Sequence, residues 1–151
     1  FKLENKTFFS RLIDTDYIDF GRVIPKSPRT HVTCKRQMLI GALERASLVT
    51  EDKALGQSKS CVRCEFVDGL LKISSVSVSG SVYDEVLTDK EGDDIVIGFN
   101  CRYLLDALRA SDGEDIKIDL SNPLVSIIIT ATKNNEGENY LYMVCPVKMK
   151  E

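Results

Sequence analysis

The sequence has no tryptophan, a single histidine and only four prolines, and no apolar run in it approaches the roughly 20 residues that a helix needs to cross a bilayer. The opening FKLENKTFFSRLID lacks the basic stretch, apolar stretch and cleavage site of a signal peptide, so a cytosolic location is expected. Because the chain opens in strand-like residues without a methionine, it is expected to be a piece of something longer. Five cysteines, Cys34, Cys61, Cys64, Cys101 and Cys145, are an odd number without framework spacing, which argues against a disulfide scaffold. All lie in or beside apolar periodic segments, where a free thiol behaves as a small buried hydrophobe. Cys61 and Cys64 have zinc-like spacing, but SCVRCEF alternates as a strand does, so residues three apart face opposite ways, and no second pair exists. No metal and no cofactor are expected.

Catalytic patterns are equally scarce. His31 sits in a proline-flanked connector beside Arg29 and Thr30 with no local nucleophile or carboxylate constellation, as a surface or strand-start histidine would. Asp14-Thr15-Asp16 lacks the glycine and terminal glutamate of a calcium loop, and neither a Walker loop nor GxGxxG occurs. A net charge of −3 excludes a protein that coats nucleic acid over its whole surface, while leaving room for a basic face on an acidic body.

What is present is one domain's worth of apolar residues, 43% of 151, arranged in an internal repeat. At an offset of 65, Met38, Leu39, Ala42 and Leu43 fall on Tyr103, Leu104, Ala107 and Leu108, giving two amphipathic helices, QMLIGALERASLV and RYLLDALRAS, with one shared apolar stripe. LxxALxxA is common in helices, but the surroundings repeat too. His31-Val32-Thr33 and Ile95-Val96-Ile97 precede the helices; CVRCEF, LLKISSVSV and SVYDEVL follow the first, IKIDL, LVSIIITAT and YLYMVCPV the second. Val62, Cys64, Phe66 and Ile116, Ile118, Leu120 alternate as half-buried strands do, and turns are expected at Asp68-Gly69 and Asn134-Asn135-Glu136-Gly137. The fold class is therefore α+β: a strand-helix-three-strand unit used twice, with two helices packed on antiparallel sheets. Residues 1–20 lie outside the repeat, TFFSRLID reading as a strand and DTDYIDFGRVIPKSPRTH as a linker in which Pro25 and Pro28 block helix.

FSRLIDTDYIDFGRVIPKSP, IGFNCRYLLDAL and YLYMVCPVKM, in that order, resemble the bacterial sliding clamp, the beta subunit of DNA polymerase III, over essentially the whole chain. The match is to its third domain, which follows an [FY]xRVxP stretch, carries a GFNxxYLxDxL helix and ends in a VxPx[KR] strand. The resemblance implies the DNA clamp fold, with residues 1–20 as the last strand of the middle domain plus linker and 21–151 as the third domain. It implies an accessory subunit without a catalytic site, forming a head-to-tail homodimeric ring around duplex DNA when full length. Its partners would be the DNA polymerase III catalytic subunit, the clamp loader and other proteins bearing a clamp-binding motif. A stand-alone α+β ligand-binding or enzymatic domain unrelated to replication is the alternative from the residues alone.

The resemblance also implies sites. Arg22, Val23, Tyr103, Leu124, Ser126, Met143, Cys145, Pro146 and Val147 match the family's peptide-binding cleft, where an apolar wall adapts to Leu or Phe anchors and a few polar groups fix the peptide. Core packing is the competing account of Met143 and Val147. Departures are Ile18, where many members have proline, Cys145 at a usual methionine, and a tail continuing through Met149, Lys150 and Glu151. Leu48 and Val49 match the apolar pair that packs into the neighbouring subunit, and fit a helix-end core contact equally well. Arg36, Arg45, Arg102 and Arg109 lie off the apolar stripes and match DNA-facing positions, or a plain solvated helix face.

Overall fold

The structure, a computed structural model, describes residues 1–50, 61–78, 80–133 and 139–149. The turn expected at 134–137 and the tail residues Lys150 and Glu151 lie outside them.

The chain opens with a small hairpin, β1 (Lys2–Leu3) and β2 (Lys6–Thr7), and residues 8–19 then carry no helix or strand. The expected strand over TFFSRLID is thus realised only at Thr7. Alternation is a local property, whereas a strand needs a neighbour for its backbone groups, and every residue from 1 to 20 is exposed. The linker also holds one helical turn, α1 (Phe20–Val23), where Pro25 and Pro28 were expected to block helix. Asp19 caps it by accepting from the Gly21 N–H at 3.1 Å, and the turn stops at Ile24, which Pro25 forces to extended backbone (ψ 122°).

Two copies of the expected unit follow. The first is β3 (Thr30–Lys35), α2 (Arg36–Thr50), β4 (Val62–Val67), β5 (Leu70–Ser77) and β6 (Gly80–Glu91); the second is β7 (Ile95–Phe99), α3 (Cys101–Ala110), β8 (Asp115–Leu120), β9 (Ile127–Ala131) and β10 (Tyr142–Val144). All eight strands join one antiparallel sheet in the order β10-β9-β8-β3-β6-β5-β4-β7. Val62, Cys64, Phe66, Ile116, Ile118 and Leu120 all turn inward, as the alternation requires, and meet the buried stripes of both helices in one core. At Asp68-Gly69 the β4–β5 turn forms, with Gly69 in the left-handed region at φ 71°.

The stripes differ from expectation by the same step in both helices. Met38 and Tyr103 are exposed, while Ile40 and Leu105, also 65 apart, are buried beside Leu39, Leu43, Leu104 and Leu108. Apolar periodicity fixes the stripe's direction to within one position; which flank is covered depends on where the sheet lies.

The repeat is a pseudo-twofold in contacts as well as sequence. Arg36 donates to the Leu108 carbonyl at 3.3 Å, and Cys101, its equivalent, donates from Sγ to the Leu43 carbonyl at 3.2 Å. Glu44 and Arg109, equivalent to each other, form an ion pair at 2.8 Å across the helix seam. Such reciprocal contacts are the signature of an isologous interface, here between two halves of one chain. Sheet registers obey the same relation: Cys34–Ile116 corresponds to Phe99–Val62, and Leu71–Val86 to Ile127–Val144. Thr33–Asp89, in the β3–β6 seam, corresponds to Gly98–Val147, and there the Val147 N–H donates to the Gly98 carbonyl at 2.8 Å. The continuation of β10 thus reaches β7, and the two ends of the sheet meet.

Candidate functional site

β10 and its continuation place side chains on alternate sides. Val144 is buried and Pro146 half-buried, while Met143, Cys145 and Val147 are exposed. Cys145 therefore departs from the expectation of a buried thiol, unlike Cys34, Cys64 and Cys101; Cys61 is half-buried. β9 lies alongside, Met143 opposite Ile128, and the Ser126 hydroxyl just before β9 donates to Cys145 Sγ at 3.3 Å. Tyr142 secures the strand to α3 by donating from its hydroxyl to the Ala110 carbonyl at 2.6 Å. An exposed apolar row with a hydroxyl beside it thus rests on a fixed strand. Leu124, 81% exposed, precedes β9 on a turn in which the Asn122 side chain accepts from the Leu124 N–H.

The remaining cleft candidates come from other elements. Tyr103 is exposed on the first turn of α3, whose start is capped by Asn100 accepting from the Arg102 N–H at 3.1 Å. Arg22 and Val23 lie on α1, Val23 47% exposed and Arg22 held by an ion pair to Asp19 at 3.0 Å. Direct bonding within the set joins Ser126 to Cys145; no described bond joins Arg22, Val23 or Tyr103 to the strand.

At the end of α2, Leu48 is 78% exposed and Val49 half-buried. The four arginines assigned to the helix face are each engaged by the protein. Arg36 donates to the carbonyls of Gly113 (2.6 Å) and Leu108; Arg45 pairs with Asp84 at 2.6 Å; Arg102 approaches Asp106 at 3.9 Å; Arg109 pairs with Glu44. Three of the four guanidinium charges thus face a carboxylate, while Arg36 meets only neutral carbonyls.

Sequence reasoning missed two charged clusters that strand pairing creates. His31 meets Asp119 of β8 directly opposite, Nδ1 to Oδ1 at 2.5 Å, and Lys117 reaches the same carboxylate at 3.2 Å. Lys35 bonds Glu114 and Asp115, hydrogen bonds that raise its pKa. The partners of His31 and Lys35 are over 75 residues away in sequence, so no local motif could signal them. Among the described residues no group of three or more His, Cys, Asp or Glu could hold a metal ion, and no helix is long and apolar enough to cross a membrane.

Residues 21–146 match the family model of the DNA polymerase III beta subunit, C-terminal domain. The chain belongs to that family. The beta sliding clamp of Pseudomonas putida is 31% identical over 144 residues, 95% of this chain but 37% of the relative. Among solved structures, the DNA polymerase III beta subunit of Thermotoga maritima superposes with a TM-score of 0.81 at 28% identity, covering 93% of this chain and 36% of the other. The Pseudomonas aeruginosa sliding clamp bound to griselimycin gives 0.79 at 28%, with the same coverage. This chain therefore spans little more than a third of the sliding clamps it matches, and its duplicated α+β architecture is that of a DNA clamp domain.

Proposed function

We propose that the chain forms the third domain, residues 21–151, of a sliding clamp that when complete encircles duplex DNA without reading its sequence and carries no catalytic site of its own. Residues 1–20 then belong to the last strand of the middle domain and the linker, a placement supported by the exposure of Phe8, Phe9, Leu12 and Ile13. The complete protein works in the cytoplasm as a head-to-tail homodimer, with Leu48 and Val49 at the subunit junction. Through the cleft it docks the polymerase III catalytic subunit, the clamp loader and other proteins bearing a clamp-binding motif.

One observation carries the docking reading: the row Met143, Cys145 and Val147 stands exposed on a strand that Tyr142 and the β9 pairing hold in place, with the Ser126 hydroxyl beside it. Thioether, thiol and branched aliphatic groups adapt to Leu or Phe anchors, and the hydroxyl supplies orientation. Binding of griselimycin by the similar Pseudomonas aeruginosa clamp is consistent with a clamp surface that accepts ligands. On the helix face, Arg102 and Arg109 reach phosphates by exchanging an exposed carboxylate partner for DNA and Arg45 by leaving the half-buried Asp84, while Arg36 has the larger role of joining the two repeats. Retention comes from topology, so loose contact suffices.

The test is a fluorescence and NMR titration with a short peptide carrying adjacent Leu and Phe anchors, performed on the protein with its upstream domains. Saturable shifts centred on Arg22, Val23 and residues 143–147, lost in a Met143→Ala, Val147→Ala variant, are expected. Silence in the complete protein would sink the docking reading.

A further inference from the structure

We infer that Gly98, outside the proposed cleft, is the positioning residue that sets the height of its Val147 wall. The inference rests on the docking reading for its functional meaning and on geometry alone for its structural meaning. Gly98 lies in β7 and is buried, yet it is not in the left-handed region and needs no glycine for its backbone. What it needs is space. A Cβ built there would lie 2.6 Å from Met149 Cγ and 2.9 Å from the Val147 carbonyl oxygen, both closer than a real Cβ tolerates.

The absent side chain therefore lets the tail lie directly on β7, with the Val147 N–H on the Gly98 carbonyl at 2.8 Å. The corresponding seam of the first half, β3–β6, runs over four paired residues from His31–Glu91 to Cys34–Thr88. Thr33, the counterpart of Gly98, carries a side chain in that seam, whereas at Gly98 the Met149 side chain occupies the space a Cβ would need. Among the described residues the second seam has one backbone hydrogen bond, Val147 to Gly98, with the Met149 side chain beside it, so its geometry is set by this glycine. Because Val147 shares its exposed row with Met143 and Cys145, displacing the tail moves one end of the wall while β9 holds the other at Met143.

The proposal is tested in the full-length protein with two readouts, hydrogen exchange at the Val147 amide and affinity for the Leu-Phe peptide. In the unaltered protein Val147 is expected to be protected; exchange there at the rate of an unstructured amide would overturn the inference without any variant. Gly98→Ala is expected to lift the tail, abolish that protection and weaken peptide binding about tenfold, the equivalent of a modest overpacking strain. Gly113→Ala is the matched control, since a Cβ there meets Ala131 Cβ and the Asp115 carbonyl oxygen at 2.8 Å each, equally tight but at the other end of β8 and β9. It should cost stability while leaving Val147 exchange and peptide affinity unchanged. Should Gly98→Ala not fold, Met149→Gly added to it removes the closer of the two contacts and restores a folded protein for the same measurement. Full peptide affinity in Gly98→Ala would overturn the positioning role. Protection at Val147 without peptide binding by the unaltered protein would instead remove the docking reading and leave the structural role standing.

Discussion

The guanidinium of Arg36 shows how a residue chosen for its charge can be used for its geometry. It holds two carbonyls near the carboxyl end of α3, where the helix leaves acceptors unpaired. Arg36→Ala is expected to cost about 2 kcal/mol, the usual range for hydrogen bonds from a charged donor, read as a lower urea midpoint with an unchanged slope. Buried thiols make stability depend on alkaline pH. Burial, and secondarily Asp115, pushes Cys34 up from 9.0 to about 12; burial, then the neighbouring Cys101 and Cys61, pushes Cys64 up further. Between these values the unfolded chain has lost protons that the folded chain keeps, so stability is complete below pH 9 and falls as pH rises toward 12. Urea midpoints at pH 8 and at about pH 10.5 should show the decline, and Cys34→Val should reduce it to the share that Cys64 contributes. Of the thiols, Cys64 was placed inside by strand alternation, whereas Cys34 and Cys145 shared the same apolar surroundings in the sequence and yet the first is buried and the second faces outward, because the side on which the core lies decides.

At the scale of elements, α3 is the better-defined helix at its start because Asn100 caps it. Asn100→Ala should lower stability by about 1 kcal/mol, measurable by thermal or urea denaturation. Glu44→Gln, which breaks the exposed ion pair across the helix seam, should change stability by less than about 0.5 kcal/mol, since surface pairs contribute little. The repeat, the helices and the inward residues of β4 and β8 were legible in the sequence because each is a period in one segment. The flank of the stripe at Met38 and Tyr103 was not, since the sheet decides it, nor was the disposition of TFFSRLID, whose strand character needs a neighbour. Within the candidate site, the outward row on the last strand follows from alternation once Val144 is known to be inside. The union of Ser126 with Cys145, and of Arg36, Arg45 and Arg109 with acceptors, arises from folding partners too far apart in sequence for any motif to announce, whereas Arg102 and Asp106 are a local pair four residues apart on one helix.

For the molecule as a whole, protection should be graded from the centre of the sheet outward. Amides of Val32 and Ile118, paired in the β3–β8 seam that joins the two halves, are expected to exchange slowest, and those of residues 8–19 within the dead time, a difference that hydrogen-exchange mass spectrometry resolves. Slow exchange in 8–19 would mean that the segment finds cover within this chain. The meeting of the sheet's two ends has a mechanical consequence. β3 is riveted by six residue pairs on one side and four on the other, whereas the opposite junction is fastened by the Val147–Gly98 bond and the press of Met149. The domain is built like a bracelet with a riveted back and a light clasp: tension applied at its carboxyl end is borne by the clasp first and lets go there, long before the load reaches the rivets.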